Sequence, residues 1–395
     1  MKRILLFAVA FAAAGMMMFN ITVSLGSAQT SDVAAGVKFH NETETQAEIE
    51  AYWTPERLLS AQTIELHPEV DARGLPIVSE VATQPGQSVF VDGAEASFKI
   101  GNSAQRILIP ANLLPTVEPA DGIQKDATSS FGAYFTTSRV FPDAATTAGP
   151  NKTIGKLFFT DPRTGTNFVC SASVLRFRLV VTAGHCVAHG SPTPSDQYFY
   201  SKFMFVPSEL SGAAPNGTWT PSGELVTSNW VGSGSVPNEQ DVGMLIIKDQ
   251  KINGNGPYRI GHITGYLGYA YCNGTDCSNP PISDNALTIL GYPCNLDSCE
   301  RMELTSAQTY ESGGSNTWIY GSAFRGGASG GPWIQDYGVN PSGAPAGLLG
   351  NNYVEAVTSY GPTSTTPMYL GASAWDNRFK NMLTSACGIA PAGSC

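Results

Sequence analysis

The sequence predicts an all-β fold, either a sandwich or a barrel, beyond about residue 140. Short apolar runs are separated there by Gly, Pro, Asn and Ser, with turn signals roughly every 8 to 15 residues. Only 14% of the 395 residues are charged, and the chain holds 42 glycines and 26 prolines, which indicates a compact, loop-rich protein. The runs predicted to be strands are KLFFT, FVCSASVL, RLVVTA, YFYSKFMFV, VGMLIIK, ALTILGY and PAGLLG.

The N-terminus has the pattern of a secretory signal peptide. Lys2 and Arg3 precede a long apolar run, and the small residues Gly26 and Ala28 are placed for cleavage after Ala28. We therefore predict a signal peptide over residues 1–28 and a secreted protein. A retained membrane anchor is the alternative, although no later segment is apolar enough to cross a bilayer.

Residues 29–139 differ from the rest because they contain no cysteine and more acidic than basic side chains. A short acidic helix is predicted around residues 47–61, with an interruption at Pro55, and residues 120–134 have the composition of an exposed linker. The segment is small and polar for an independent domain, and it suits a propeptide that is removed after export. Residues 140–395 are then the functional domain.

The eight cysteines all lie in this later region, and an even number in an exported protein indicates disulfides. Zinc is the alternative, because two C-x4-C units could supply four thiolates. Spacing suggests the pairs Cys170–Cys186, Cys272–Cys277, Cys294–Cys299 and Cys387–Cys395.

Among the five histidines, His185 has the most distinctive surroundings, because it ends an apolar strand next to a cysteine. A strand end held by a disulfide can fix the direction of an imidazole. A core histidine that bonds only to backbone groups is the alternative. His40 and His67 lie in the predicted propeptide, and His189 and His262 lie in polar loops.

Asp241 stands at the head of the apolar run VGMLIIK. An aspartate in that position can be buried and then needs a hydrogen-bond donor, which an imidazole N–H could provide. A strand-start or turn aspartate is the alternative interpretation. Asp249 and Asp284 lie in more polar stretches and are weaker candidates.

Ser329 lies among glycines in the stretch RGGASGGPW. Gly327, Gly330 and Gly331 permit backbone conformations that other residues avoid, and such a turn can aim successive N–H groups at one point. The N–H groups of Gly327 and Ser329 are the candidate oxyanion hole. An ordinary glycine-rich turn is the alternative.

Three motifs together resemble a known family. TAGHC, DVGML and GASGGP, in this order along the chain, are similar to the His, Asp and Ser motifs of trypsin/chymotrypsin-like serine peptidases. The stretches GKLFF…CSASV and LGYP look most like the bacterial V8-like branch, which includes glutamyl endopeptidases. The resemblance covers the chain from about residue 150. It implies two six-stranded antiparallel β-barrels with the active site in the cleft between them.

The resemblance also implies roles for the three candidates. Ser329 would attack the scissile carbonyl, His185 would take its proton and pass it to the leaving amine, and Asp241 would orient the imidazole. The disulfide between Cys170 and Cys186 matches the family's bridge beside the histidine.

A substrate-binding surface follows from the same resemblance. The stretch TSYG is similar to the strand that pairs with the substrate backbone in the family, and an ordinary edge strand is the alternative. Ala323 corresponds to the pocket base and Arg325 to a position where many members have a cysteine. Without an acid at the pocket base, a preference for Lys or Arg has no counter-ion, and small, apolar or acidic side chains remain open. The implied substrate-binding residues are Ala323, Arg325, Thr358, Ser359, Tyr360 and Gly361.

Ala328 departs from the digestive members of the family, which carry an aspartate here that binds the new N-terminal ammonium after activation. Alanine cannot form that ion pair, so we expect latency or folding assistance to come from residues 29–139 instead. The bond between Arg139 and Val140 is a candidate processing site, and Lys125 marks another.

The sequence therefore predicts a secreted, monomeric serine endopeptidase that acts on extracellular proteins and has its own propeptide as a partner, without a metal or organic cofactor. The net charge of −10 argues against a nucleic-acid partner, and no membrane association is expected after signal cleavage. The rival hypothesis is a catalytically inert homologue that serves as a secreted binding module. An esterase with the same serine chemistry is a second rival, and calcium binding stays open.

Overall fold

The computed structural model describes residues 33–77, 83–98, 106–116, 134–252, 254–283, 286–314, 317–338, 352–363 and 367–395. From Asp32 onward the chain forms one compact unit. The predicted signal peptide, Lys125, Asp284 and the predicted strand PAGLLG lie outside the described residues.

Strands dominate the described chain, as the sequence predicts. The helices are α1 (Gln46–Tyr52), α2 (Pro55–Leu59), α3 (Ser228–Ser233), α4 (Ile260–Thr264) and α5 (Asn377–Ile389). The strands are β1 (Val37–Asn41), β2 (Gln87–Val91), β3 (Arg106–Ile107), β4 (Phe135–Arg139), β5 (Ile154–Thr160), β6 (Asn167–Val174), β7 (Leu179–Thr182), β8 (Ala188–His189), β9 (Tyr198–Phe199), β10 (Ser201–Pro207), β11 (Ala213–Ala214), β12 (Pro221–Thr227), β13 (Gly243–Ile247), β14 (Gln250–Ile252), β15 (Asn255–Tyr258), β16 (Gly268–Asn273), β17 (Ala286–Gly291), β18 (Glu303–Gly314), β19 (Thr317–Gly321), β20 (Pro332–Gln335), β21 (Tyr353–Tyr360) and β22 (Tyr369–Ala374).

The first large sheet has seven strands in the order β1-β12-β13-β7-β6-β5-β10, and all its pairings are antiparallel. Six of them close into a barrel, because Phe205 in β10 and Trp219 just before β12 exchange two backbone hydrogen bonds of 2.8 Å. β1 adds a seventh strand outside the ring. β5, β7 and β13 are buried along their whole length, which explains the apolar runs LFF, LVV and MLII within them.

The second large sheet has nine strands, of which six form a closed ring in the order β17-β18-β19-β22-β21-β20 and back to β17. These six pairings are antiparallel. β16 joins β21 in parallel from outside, β2 pairs with β16, and β4 pairs with β18. The predicted two six-stranded antiparallel barrels are thereby confirmed.

The acidic segment packs on the barrels and shares their core. The predicted helix forms as two pieces, with Thr45 capping α1 and Thr54 capping α2, whose first residue is Pro55. The helices contribute apolar side chains to a cluster with β5, β6 and β10 of the first barrel; its members include Ile49, Trp53, Leu58, Phe158, Val169, Met204 and Val206.

The candidate processing site lies at the end of a paired strand. Arg139 closes β4 and forms an ion pair with Asp297, with Nε and Oδ2 2.5 Å apart. Val140 is buried, and its N–H donates to the carbonyl of Met302. Cleavage between Arg139 and Val140 therefore requires the end of β4 to leave β18 first.

Four disulfides join the pairs that spacing suggests, Cys170–Cys186, Cys272–Cys277, Cys294–Cys299 and Cys387–Cys395. Each C-x4-C unit thus closes its own disulfide, and its two sulfurs are not available to bind zinc. Within the described residues, no helix is long and apolar enough to cross a membrane.

Candidate active site

His185 sits in the short turn after β7, beside the disulfide that links this turn to β6. Its side chain is buried, and its Nδ1 lies 2.8 Å from Oδ2 of Asp241. Its backbone N–H also donates to Asp241 Oδ1 at 2.8 Å. The Asp241 carboxylate therefore binds both the backbone N–H and the ring of His185, which fixes the orientation of the imidazole.

Asp241 is completely buried just before β13, where the apolar strand places it under the His185 turn. Its third donor is the hydroxyl of Ser359, whose Oγ lies 2.6 Å from Oδ2. A carboxylate can only accept, so Nδ1 of His185 carries the ring proton and Nε2 is left as a proton acceptor. This arrangement suits a general base.

The backbone around Ser329 needs glycine at several positions. Gly327 has a φ of +94° and Gly330 a φ of +78°, the left-handed region that glycine tolerates. A Cβ on Gly330 would lie 2.0 Å from Thr182 Oγ1 and 2.8 Å from the nitrogen of Ala183. The Ser329 turn thus packs directly against the chain that leads into His185.

Ser171 in β6 supports this turn, a role that sequence reasoning missed. Its N–H donates to the carbonyl of Ser329 at 2.8 Å, and its hydroxyl donates to the carbonyl of Gly327 at 2.8 Å. The same oxygen accepts the N–H of Tyr292. Its place directly after Cys170 was the available signal, because that cysteine lies beside the histidine turn.

The hydroxyl of Ser329 and the base are not bonded to each other. Ser329 Oγ donates to the carbonyl of Ile64, at a long distance of 3.5 Å. Nε2 of His185 is buried and has no hydrogen-bond partner among the described residues. The structure therefore packs the Ser329 turn against the chain that leads into His185, and it bonds the His185 side chain to Asp241 but not to Ser329.

The predicted substrate-binding residues divide into two groups. Arg325, Thr358, Ser359, Tyr360 and Gly361 line a pocket together with Ser329. Ala323 is buried in the second barrel and does not belong to that lining.

Internal contacts occupy most of these side chains. Thr358 accepts from Trp333 Nε1 at 2.9 Å, and the hydroxyls of Tyr360 and Thr317 lie 3.1 Å apart. Burial raises the pKa of Tyr360, so its phenol stays neutral. Ser359 donates its hydroxyl hydrogen bond to Asp241. Arg325 is the charged side chain among these predicted residues, and its Nη1 donates to the carbonyl of Phe324 at 2.7 Å.

Among the described residues, the other acids and histidines considered from sequence lie away from this pocket, except His67. Asp249 pairs with Arg178, His189 stacks on Tyr198, and His262 contacts aromatic rings. His67 lines the pocket, and its Nδ1 lies 3.0 Å from the carbonyl of Gly361.

Ala328 is fully buried within the apolar cluster of the second barrel, so this position offers no group for a new ammonium. The described residues contain one group of three potential metal ligands, formed by Cys170, His185 and Cys186. Its two sulfurs are joined in a disulfide, which removes them as ligands.

Searches against protein-family models and against curated proteins each give no match. The chain is similar to solved structures at low identity. The protease Anisep from Arthrobacter nicotinovorans is 24% identical, with a TM-score of 0.47, over 61% of this chain and 98% of that one.

Two further structures match with similar sequence identity, coverage and TM-score. A thermostable serine protease, AL20, from an extremophilic microorganism is 21% identical over 62% of this chain and 99% of its own, with a TM-score of 0.48. A Glu endopeptidase is 16% identical over 66% of this chain and 100% of its own, with a TM-score of 0.46.

Proposed function

We propose that the protein is a secreted serine endopeptidase that hydrolyses peptide bonds of extracellular proteins through an acyl-enzyme. The observation that carries the proposal is the set of three donors on Asp241, two from His185 and one from Ser359. They fix the imidazole with Nε2 as the acceptor, next to a serine on a turn that only glycines allow. The N-terminal signal pattern supports export, and we expect the enzyme to act as a monomer.

The chemistry follows from these positions. Once Ser329 Oγ turns to Nε2 of His185, the imidazole takes its proton as the oxygen attacks the scissile carbonyl. Asp241 stabilises the imidazolium that forms. The N–H groups of Gly327 and Ser329 would bind the oxyanion, and losing one such donor costs roughly 2.7–4 kcal/mol of transition-state stabilisation. His185 then protonates the leaving amine, and water releases the acyl group by the reverse sequence.

Labelling with a fluorophosphonate tests the proposal. The mature protein is purified from culture medium, its N-terminus is sequenced, and the site of labelling is identified by mass spectrometry. We expect labelling at Ser329 and none in Ser329→Ala. Ser173→Ala is the matched control, because Ser173 is also buried and its hydroxyl has no partner among the described residues. A mature wild type that does not label would instead support the inert binding module.

A further inference from the structure

Residues 62–67, here called the strap, cross the cleft between the two barrels. At one end, the N–H of Gln62 donates to the carbonyl of Asn167, and its carbonyl accepts the N–H of Val169, both at 2.8 Å. At the other end, the carbonyl of Leu66 accepts the N–H of Gly361 at 3.2 Å. The strap therefore binds the backbone of both barrels.

The middle of the strap covers the candidate nucleophile. The carbonyl of Ile64 takes the hydrogen bond of Ser329 Oγ. Gly326, three residues before the serine, allows close approach, because a Cβ there would lie 2.4 Å from Thr63 Oγ1 and 2.5 Å from Glu65 Oε1. Strap residues 64–67 also form one wall of the pocket that contains Ser329.

The direction of the strap is opposite to that of a productive substrate, an argument that rests on the proposed function. His185 must protonate the leaving amine, so the half of a substrate that follows the scissile bond lies toward the first barrel. The acyl half then lies along residues 358–361. A substrate consequently runs from Gly361 toward Val169, whereas the strap runs from Gln62, at Val169, to Leu66, at Gly361.

Reversal explains how a peptide can occupy this cleft without being cut. In a reversed chain, the amide nitrogen following the Ile64 carbonyl lies toward the second barrel, away from His185. The imidazole cannot protonate it as a leaving group. The Ile64 carbonyl also accepts the hydrogen bond of the Ser329 hydroxyl, which should point to His185, and Nε2 is left without a partner among the described residues.

The strap is anchored in apolar clusters on both sides. Before it, Trp53, directly after α1, and Leu58 in α2 are buried against the first barrel. After it, Leu75 is buried with Ile319, Tyr360 and Tyr369 of the second barrel. These anchors hold the strap at a high effective concentration over the cleft, as a covalent tether does for a linked ligand.

We propose that residues 62–67 are an autoinhibitory strap, which binds the substrate cleft in reverse and diverts the proton of Ser329 from His185. The class of ligand is an extended peptide with apolar side chains at positions equivalent to Ile64 and Leu66.

The first test compares fluorophosphonate labelling rates of full-length protein, in which the strap is present, with those of the mature form. The double variant Ile64→Ala/Leu66→Ala should label at least ten-fold faster than full-length wild type. Ile77→Ala, which changes an exposed aliphatic residue beyond the strap, is the control and should label at the wild-type rate. Full-length wild type that labels as fast as the mature form would overturn the proposal.

The second test uses only wild-type enzyme, so it does not depend on whether a variant folds. A synthetic peptide of residues 61–69 is added to the mature enzyme, with a scrambled peptide as the control. We expect the strap peptide to slow labelling and to remain intact by mass spectrometry. Rapid cleavage of its bond between Ile64 and Glu65 would exclude reversed binding. If the mature enzyme labels in neither test, the proposed function fails, and this outcome differs from failure of the strap alone.

Discussion

Asp241→Asn tests which proton arrangement the site imposes on His185. Asp241 Oδ1 accepts the backbone N–H of His185, a donor that cannot become an acceptor. The asparagine must therefore turn its oxygen toward this N–H, which places its NH2 group against His185 Nδ1 and Ser359 Oγ. Both partners can accept a hydrogen bond, so every buried bond survives while Nδ1 loses its proton.

The magnitude follows from this exchange. The ring proton moves to Nε2, the nitrogen that has to receive the proton of Ser329. In triads of this geometry, such a substitution lowers kcat about 10⁴-fold, or about 5.5 kcal/mol of activation free energy. The free energy of unfolding should change little. Asp241→Ala instead leaves the His185 N–H and the Ser359 hydroxyl without an acceptor, at roughly 1–3 kcal/mol each.

The assay has two parts. Peptide hydrolysis by the mature form gives kcat and KM, and urea denaturation in a Ser329→Ala background gives stability without self-digestion. We expect the asparagine variant to lose activity with nearly unchanged stability, and the alanine variant to lose both. An asparagine variant that keeps more than a tenth of the wild-type kcat would refute the reasoning, as would one that unfolds as easily as the alanine variant.

Two further predictions concern stability. Gly330 has a φ of +78°, and an added Cβ would lie 2.0 Å from Thr182 Oγ1, so Gly330→Ala should abolish labelling and lower the melting temperature strongly. Gly165→Ala is the control, because Gly165 has a φ of +74° and an added Cβ would meet no atom within 4 Å. It should lower the free energy of unfolding by only about 1 kcal/mol. Burial, aided by Asp297, raises the pKa of Glu303 from 4.5 to about 9. The folded state then binds the extra proton, so between these pH values this group lowers stability by about 1.4 kcal/mol per pH unit as pH rises. Glu303→Gln should remove that slope in denaturation at pH 6 and 8, and an unchanged slope would contradict the assignment.

The local parts of the fold were predictable because they depend on neighbouring residues. Short apolar runs predicted the buried strands β5, β7 and β13, and Pro55 marked the break between α1 and α2. Short loops between cysteines indicated the disulfides. The closed rings themselves came from the family resemblance, since strand order depends on pairings between distant segments.

The candidate site divides in the same way between local and distant residues. Each candidate residue stands in a recognisable local motif. His185 follows an apolar strand, Asp241 precedes one, and Ser329 lies among glycines. The surrounding support was not. Ser171 and Ser359 are ordinary serines in strands, and only their positions across the cleft make them partners of the Ser329 turn and of Asp241.

The sequence by itself determined the candidate nucleophile, base and acid, because each stands in a short motif and the three motifs in this order together resemble a known family. Only the tertiary structure decided what lies on top of them. Ile64 and Ser329 are 265 residues apart, and no periodicity or local motif links them. Their contact exists because two helices and Leu75 bury apolar surface on opposite sides of the cleft, and the short chain between these anchors has to cross it.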